Sequence, residues 1–200
     1  MKKSEVRGPK SEVRKVKATG GTTDSLRPRA NKDGDRGLRT SNIGLRTLII
    51  GYGNPLRSDD AFGWHASGLL AQSLVGQNVE VTTCHQLTPE LAEPLNQCRR
   101  AVFIDADAEG KPGEIHFRPV RPKVPASSSF THTCTPSGLL ASAKELYGHR
   151  PQAMIITVTA QSFEFGDTLS SVVSAALPKV VEMVCKWVGV SRPAPDVADI

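Results

Sequence analysis

The sequence predicts an α/β domain, a three-layer sandwich in which a mostly parallel, twisted sheet of about five strands carries helices on both faces. Three observations predict it. Beyond residue 46, short β-branched apolar runs alternate with longer stretches whose apolar residues recur at helical spacing. The short runs are nearly free of polar residues, as strands covered on both faces must be. Polar and acidic residues gather where those runs stop, and in such sheets ligands sit at the carboxyl ends of the strands.

The elements follow in order. Thr47-Leu-Ile-Ile50 reads as the first strand and is halted by Gly51-Tyr-Gly-Asn-Pro55. Ala61 to Leu74 places Phe62, Ala66, Leu69, Leu70 and Leu74 on one helical face. Val79 to Cys84 is the second strand. Thr88-Pro-Glu-Leu-Ala then opens a helix with Thr as N-cap and Pro at the first helical position. Arg100 to Ile104 is a third strand that runs into Asp105-Ala-Asp107, and after the Gly110-Lys-Pro-Gly113 turn Glu114 to Val120 returns as an antiparallel strand. Thr135-Pro starts a helix that reaches Tyr147 and stops at Gly148. Ala153 to Thr159 is the fifth strand, and Leu169 to Val188 is a closing helix interrupted by Pro178.

The chain has 200 residues, 38% of them hydrophobic, enough for one sizeable core and too few for two. No apolar run approaches the roughly 20 residues of a membrane-spanning helix. The net charge of +5 hints at an acidic partner, but its distribution points elsewhere. Residues 1–46 hold 13 Lys and Arg against 5 Asp and Glu, leaving 12 basic and 15 acidic residues, a balance of −3, for the remainder. The first 42 residues therefore read as a disordered basic extension, residues 43–190 as the α/β domain, and residues 191–200 as a short tail. Lys2 and Lys3 precede no apolar stretch, so a secretory signal is not expected. Four cysteines without a CxxC pair indicate neither a zinc ribbon nor a disulfide scaffold, and fit reduced thiols in the cytoplasm.

Three strand ends carry polar groups that a core does not require. Gly51 to Asp60 ends in the adjacent carboxylates Asp59 and Asp60, Phe103-Ile-Asp105-Ala-Asp107 places acids where a buried strand stops, and Ser127 to His132 delivers an imidazole just before a helix. Such a mixed oxygen and nitrogen set suits a borderline transition metal such as zinc or nickel, or serves as a general acid/base cluster. Asp59 also reads as a cap for the helix beginning at Ala61, and Asp107 as a turn residue. His85 sits at a strand end, in a structural or lining position. The cysteines read as packing thiols rather than nucleophiles.

The run Ile50-Gly-Tyr-Gly-Asn-Pro-Leu-Arg-Ser-Asp-Asp60, together with His85-Gln-Leu-Thr-Pro-Glu90, Phe103-Ile-Asp-Ala106, Thr131-His132, Thr135-Pro136, Leu146-Tyr-Gly148 and Phe163-Glu-Phe-Gly-Asp-Thr-Leu-Ser170, resembles the hydrogenase maturation proteases. Those endopeptidases trim the C-terminal extension from the large subunit of nickel-iron hydrogenases. The resemblance spans about residues 47 to 188, in order, and excludes the basic extension. It implies a cytoplasmic, monomeric peptidase acting on a large-subunit precursor, with nickel supplied by that precursor, no organic cofactor, and no nucleic acid or membrane partner. It also implies that Asp60, Asp105 and His132 are both the metal ligands and the catalytic residues. Ala61 stands where the family usually has Gly. Asp107 lies two residues from Asp105, on the same face of a strand, so the central acid is one of these two.

Other classes make different expectations. A nucleotide- or phosphate-binding regulator would use the Gly51 to Asn54 loop, although no third Gly and no P-loop Lys follow it. A stand-alone zinc peptidase would keep its metal on purification.

Overall fold

A computed structural model describes residues 46–123 and 134–190. The predicted basic extension, the C-terminal tail and His132 lie outside the described residues.

Five strands form one sheet: β1 (Thr47–Tyr52), β2 (Val79–Cys84), β3 (Arg100–Asp107), β4 (Ile115–Val120) and β5 (Gln152–Thr159). Their order is β2-β1-β3-β5-β4, parallel throughout except for β4, which pairs antiparallel with β5 at the edge. The edge position explains how β4 tolerates Pro119, which cannot donate to a neighbour on both sides. The helices are α1 (Phe62–Ser73), α2 (Ala92–Asn96), α3 (Pro136–Tyr147), α4 (Ser171–Ser174) and α5 (Leu177–Val188). No helix among the described residues is long and apolar enough to cross a membrane.

Alternation along the strands divides the core into two layers, as the predicted sandwich requires. On one face Ile49, Val102, Ile104, Ile156 and Val158 meet Phe62, Ala66, Leu69 and Leu70 of α1 and Val180, Val181 and Val184 of α5. On the other, Leu48, Ile50, Phe103 and Ala153 pack against Leu95 of α2 and Leu139, Leu140 and Ala143 of α3. All of these side chains are at least 96% buried, so the area removed from water, not local propensity, holds the layers together.

The chain leaves β1 toward β2 on one side and, one connection later, toward β3 on the other. The carboxyl ends of β1 and β3 are thus a topological switch point, where such sheets open a crevice. Two glycines bring α1 down onto that point. A Cβ on Gly63 would lie 2.6 Å from the Ile104 carbonyl oxygen, and one on Gly51 would collide with the Gly63 carbonyl and Ser67 Oγ. The start of α1 therefore rests directly on backbone, and the loop before it is held over β3.

Three expectations need correction. The third strand does not end at Ile104, because β5 pairs with it through Asp107, opposite Thr159. Asp105 and Asp107 are strand residues, not loop residues. The segment after Thr88 is a 3-10 turn, Pro89–Leu91, leading into the five-residue α2, and the Thr88 side chain does not cap it. Pro94 lacks the N–H that a continuous α-helix would direct at Glu90. Finally, Pro178 does not interrupt a helix but sits in the first turn of α5, with α4 as a separate short piece.

Candidate active site

β1 ends in a tight loop whose purpose is to place Asp60. Gly53 has φ +129° and a Cβ there would strike the Asp60 carbonyl, so only glycine lets the two stretches approach. The Asn54 N–H donates to Asp60 Oδ2 at 2.9 Å, which points that carboxylate back over the loop. Trp64 on α1 covers the turn from the other side, its indole N–H donating to the Gly53 carbonyl at 3.0 Å. His85 is exposed and meets Trp64 edge-on, with ring centroids 5.6 Å apart, consistent with a lining position.

Asp105 reaches the same crevice from β3. Its parity matches Phe103 and Ala101, which places it on the α2/α3 face together with Tyr52 of β1. The Tyr52 hydroxyl donates to the Asp105 carboxylate, and the Ala106 N–H donates to Oδ1 at 2.9 Å. Burial nevertheless dominates and pushes the Asp105 pKa up to about 7, while the neighbouring Asp60 and Asp107 charges add to the rise. Tyr52 is itself driven far upward by burial and by Asp105, so it stays a donor. Asp60 and Asp105 therefore both lie at the switch point, close enough for the Asp60 charge to add to the rise that burial imposes on Asp105.

Asp107 plays a different part. Its Oδ1 accepts the Glu109 N–H at 3.2 Å and its Oδ2 lies 4.0 Å from the Arg118 guanidinium, so it serves the turn into β4. Tyr52 and the Ala106 amide favour Asp105 as the central acid.

Asp59 is not the cap of α1. It is fully buried, and its oxygens accept from the Gln161 N–H at 2.8 Å, the Ser162 N–H at 3.0 Å, the Ser170 N–H at 2.7 Å and the Ser170 hydroxyl at 2.9 Å. The residue preceding α1 is Ala61. A carboxylate fully buried and held by four donors from one segment is a structural anchor for that segment.

The third predicted ligand, His132, lies outside the described residues. The chain is described again from Cys134, which packs on the same cluster as Tyr52 and Cys84. Among the described residues no three His, Cys, Asp or Glu side chains are grouped as a metal requires. The cysteines offer no nucleophile, since burial raises each thiol, that of Cys98 to about 11. The glycine loop is also a poor phosphate cradle. Gly51 is spent on packing, the Asn54 amide is taken by Asp60, and two acids would face the phosphate.

Sequence reasoning missed two partners, Tyr52 and the 161–170 segment. Tyr52 was visible between two glycines at a strand end, whereas nothing in the sequence connects Asp59 to a segment more than a hundred residues away.

No protein-family profile matches the chain. No curated protein matches it either. Solved structures do match. The [NiFe] hydrogenase maturation protease HycI from Thermococcus kodakarensis aligns with a TM-score of 0.59 at 22% identity, over 72% of this chain and 92% of that one. The maturation protease HybD from the same organism gives 0.53 at 25% identity, over 72% and 99%. A hydrogenase 2 maturation peptidase from a Thaumarchaeota archaeon gives 0.54 at 25%, over 72% and 98%.

Proposed function

We propose that this chain, which has the hydrogenase maturation protease fold, is an endopeptidase that removes the C-terminal extension from the nickel-loaded large-subunit precursor of a nickel-iron hydrogenase. The observation that carries the reading is the placement of Asp60 and Asp105 at the β1/β3 switch point, near enough for their charges to interact, with burial raising the Asp105 pKa. Two oxygen donors in a half-buried crevice fit a borderline divalent cation. A buried carboxyl at about pH 7 exchanges its proton for such a cation at little cost. His132, on the loop before α3, would complete a mixed oxygen and nitrogen set.

The cation belongs to the substrate, and its chemistry is to polarise the scissile carbonyl or acidify a water. The rest falls to this chain. Asp60 and Asp105 orient the metal-bearing end of the precursor, and one of them accepts the proton as water adds to the carbonyl carbon. That proton then passes to the departing amine, so the peptide bond is exchanged for a carboxylate and a free amino group. Tyr52 keeps Asp105 in place throughout. A precursor without nickel would lack the cation that the two acids would hold, which makes cleavage conditional on metal loading. A cytoplasmic location accompanies this reading.

Asp60→Ala, Asp105→Ala and His132→Ala are each expected to abolish precursor processing while cooperative urea unfolding is retained. Gel analysis of the processed large subunit reads the first quantity and tryptophan fluorescence the second. Full cleavage by any one variant would remove that residue from the site.

A further inference from the structure

Resting on the protease reading, we propose that Leu56 and Phe165 form a docking rim for the protein substrate. The loop after β1 and the loop after β5 are zipped into one unit. Arg57 and Gly166 form a parallel bridge, the Ser58 N–H donates to the Gly166 carbonyl at 2.9 Å, and the Gly166 N–H donates to the Leu56 carbonyl at 3.1 Å. Arg57 Nε donates to the Phe163 carbonyl at 2.9 Å, and the Ser58 hydroxyl to the Glu164 carbonyl at 3.1 Å. Beneath them lies the buried Asp59 with its four donors from the same segment. Ser58 is held at φ +44°, a conformation that a non-glycine residue keeps only where its surroundings over-determine it.

On top of this rigid base stand two large apolar side chains in water. Leu56 is 62% exposed and Phe165 86% exposed, on adjoining loops, with the Arg57 guanidinium 5.8 Å from the Phe165 ring centroid. A soluble surface rarely fixes an aromatic ring outward with so much hydrogen bonding. Pre-ordered anchors of this kind lose little entropy when covered. Leu56 is only four positions from Asp60 in the chain, so a polypeptide whose end enters the crevice passes beside the rim. A small molecule would need a concave site, which a rim does not offer. The fitting occupant is therefore a folded protein with an apolar patch beside its cleaved end, the large-subunit precursor. Val75, after α1, and Leu146 and Tyr147, in the last turn of α3, are exposed toward the amino ends of the strands, while Val172 on α4 is the least exposed of the large apolar side chains at the surface.

The test compares wild type, Leu56→Ser/Phe165→Ser and the remote control Val75→Ser on nickel-loaded precursor, with thermal melting of each. The expected result is a KM raised at least about 10-fold in the double variant with kcat within about 2-fold of wild type, and no change in the control. Unchanged KM with wild-type cleavage intact overturns the rim and leaves the protease reading standing. Wild type that fails to cleave overturns both. A wild-type dimer that the double variant dissociates, with KM unchanged, would assign the rim to a second copy and also overturn the proposal. A fall in KM-limited cleavage accompanied by loss of the folded state is resolved by the single Phe165→Ser variant, for which a KM equal to wild type counts against docking.

Discussion

Replacing Asp59 by alanine is expected to destabilise the domain by about 3–5 kcal/mol, among the largest effects available to a single substitution here. The size follows from what is left behind. Three backbone N–H groups and one hydroxyl that now point at the buried carboxylate would lose their acceptor. Each abandoned buried donor costs roughly 1–3 kcal/mol, but the losses share one relaxed loop and do not add in full. Urea denaturation gives the total, and hydrogen exchange at Gln161, Ser162 and Ser170 gives its location. Asp59→Asn keeps the shape and one acceptor oxygen, so it should fall between the alanine variant and wild type. A loss under about 1 kcal/mol for alanine would show that water or the chain itself satisfies these donors.

Asp105→Asn is expected to do the opposite, stabilising the metal-free protein at pH 8 while changing little at pH 4. The folded-state pKa is raised, from the ordinary 3.8 to about 7. Between those values the native state binds more protons than the unfolded chain, so stability falls as pH rises through that window and is flat above it. At pH 8 the wild type carries the full cost of a desolvated carboxylate, on the order of 4 kcal/mol at most for a shift of this size. Asparagine keeps the hydrogen bond from Tyr52 without the charge. The difference in unfolding free energy between variant and wild type, measured at pH 4 and pH 8, isolates this group from all others that titrate. Equal differences at the two pH values would mean that Asp105 ionises as freely folded as unfolded. The same substitution should cost activity, since the neutral amide cannot exchange a proton for a cation, and a gain in stability with a loss in function is the pattern of a strained functional group.

Much of the scaffold was legible because its signals are local. α3 begins where Thr135 accepts the Gly138 N–H and ends at Gly148 with φ +81°, so both boundaries were written in a few adjacent residues. β2 was equally clear, and the antiparallel return of β4 followed from the turn before it. β3 was read too short, since its last residues are acidic and are kept in the strand only by pairing with β5. The acids at the site were visible as residues a core would not request, but their roles were not. Asp59 and Asp60 are neighbours of identical chemistry. One is buried against the 161–170 segment by contacts distant in sequence, and the other accepts the Asn54 N–H of its own loop. The exposed Phe165 likewise gave no sign of its partner, Arg57, until the two loops were seen joined.

The central claim is cleavage of a metal-loaded precursor at its C-terminus, and intact mass spectrometry tests it most directly. The purified chain is incubated with a hydrogenase large-subunit precursor carrying its C-terminal extension, once loaded with nickel and once without. Loss of a single short C-terminal peptide from the nickel-loaded precursor alone is the expected result. An unchanged mass under both conditions, or equal cleavage without nickel, would contradict it.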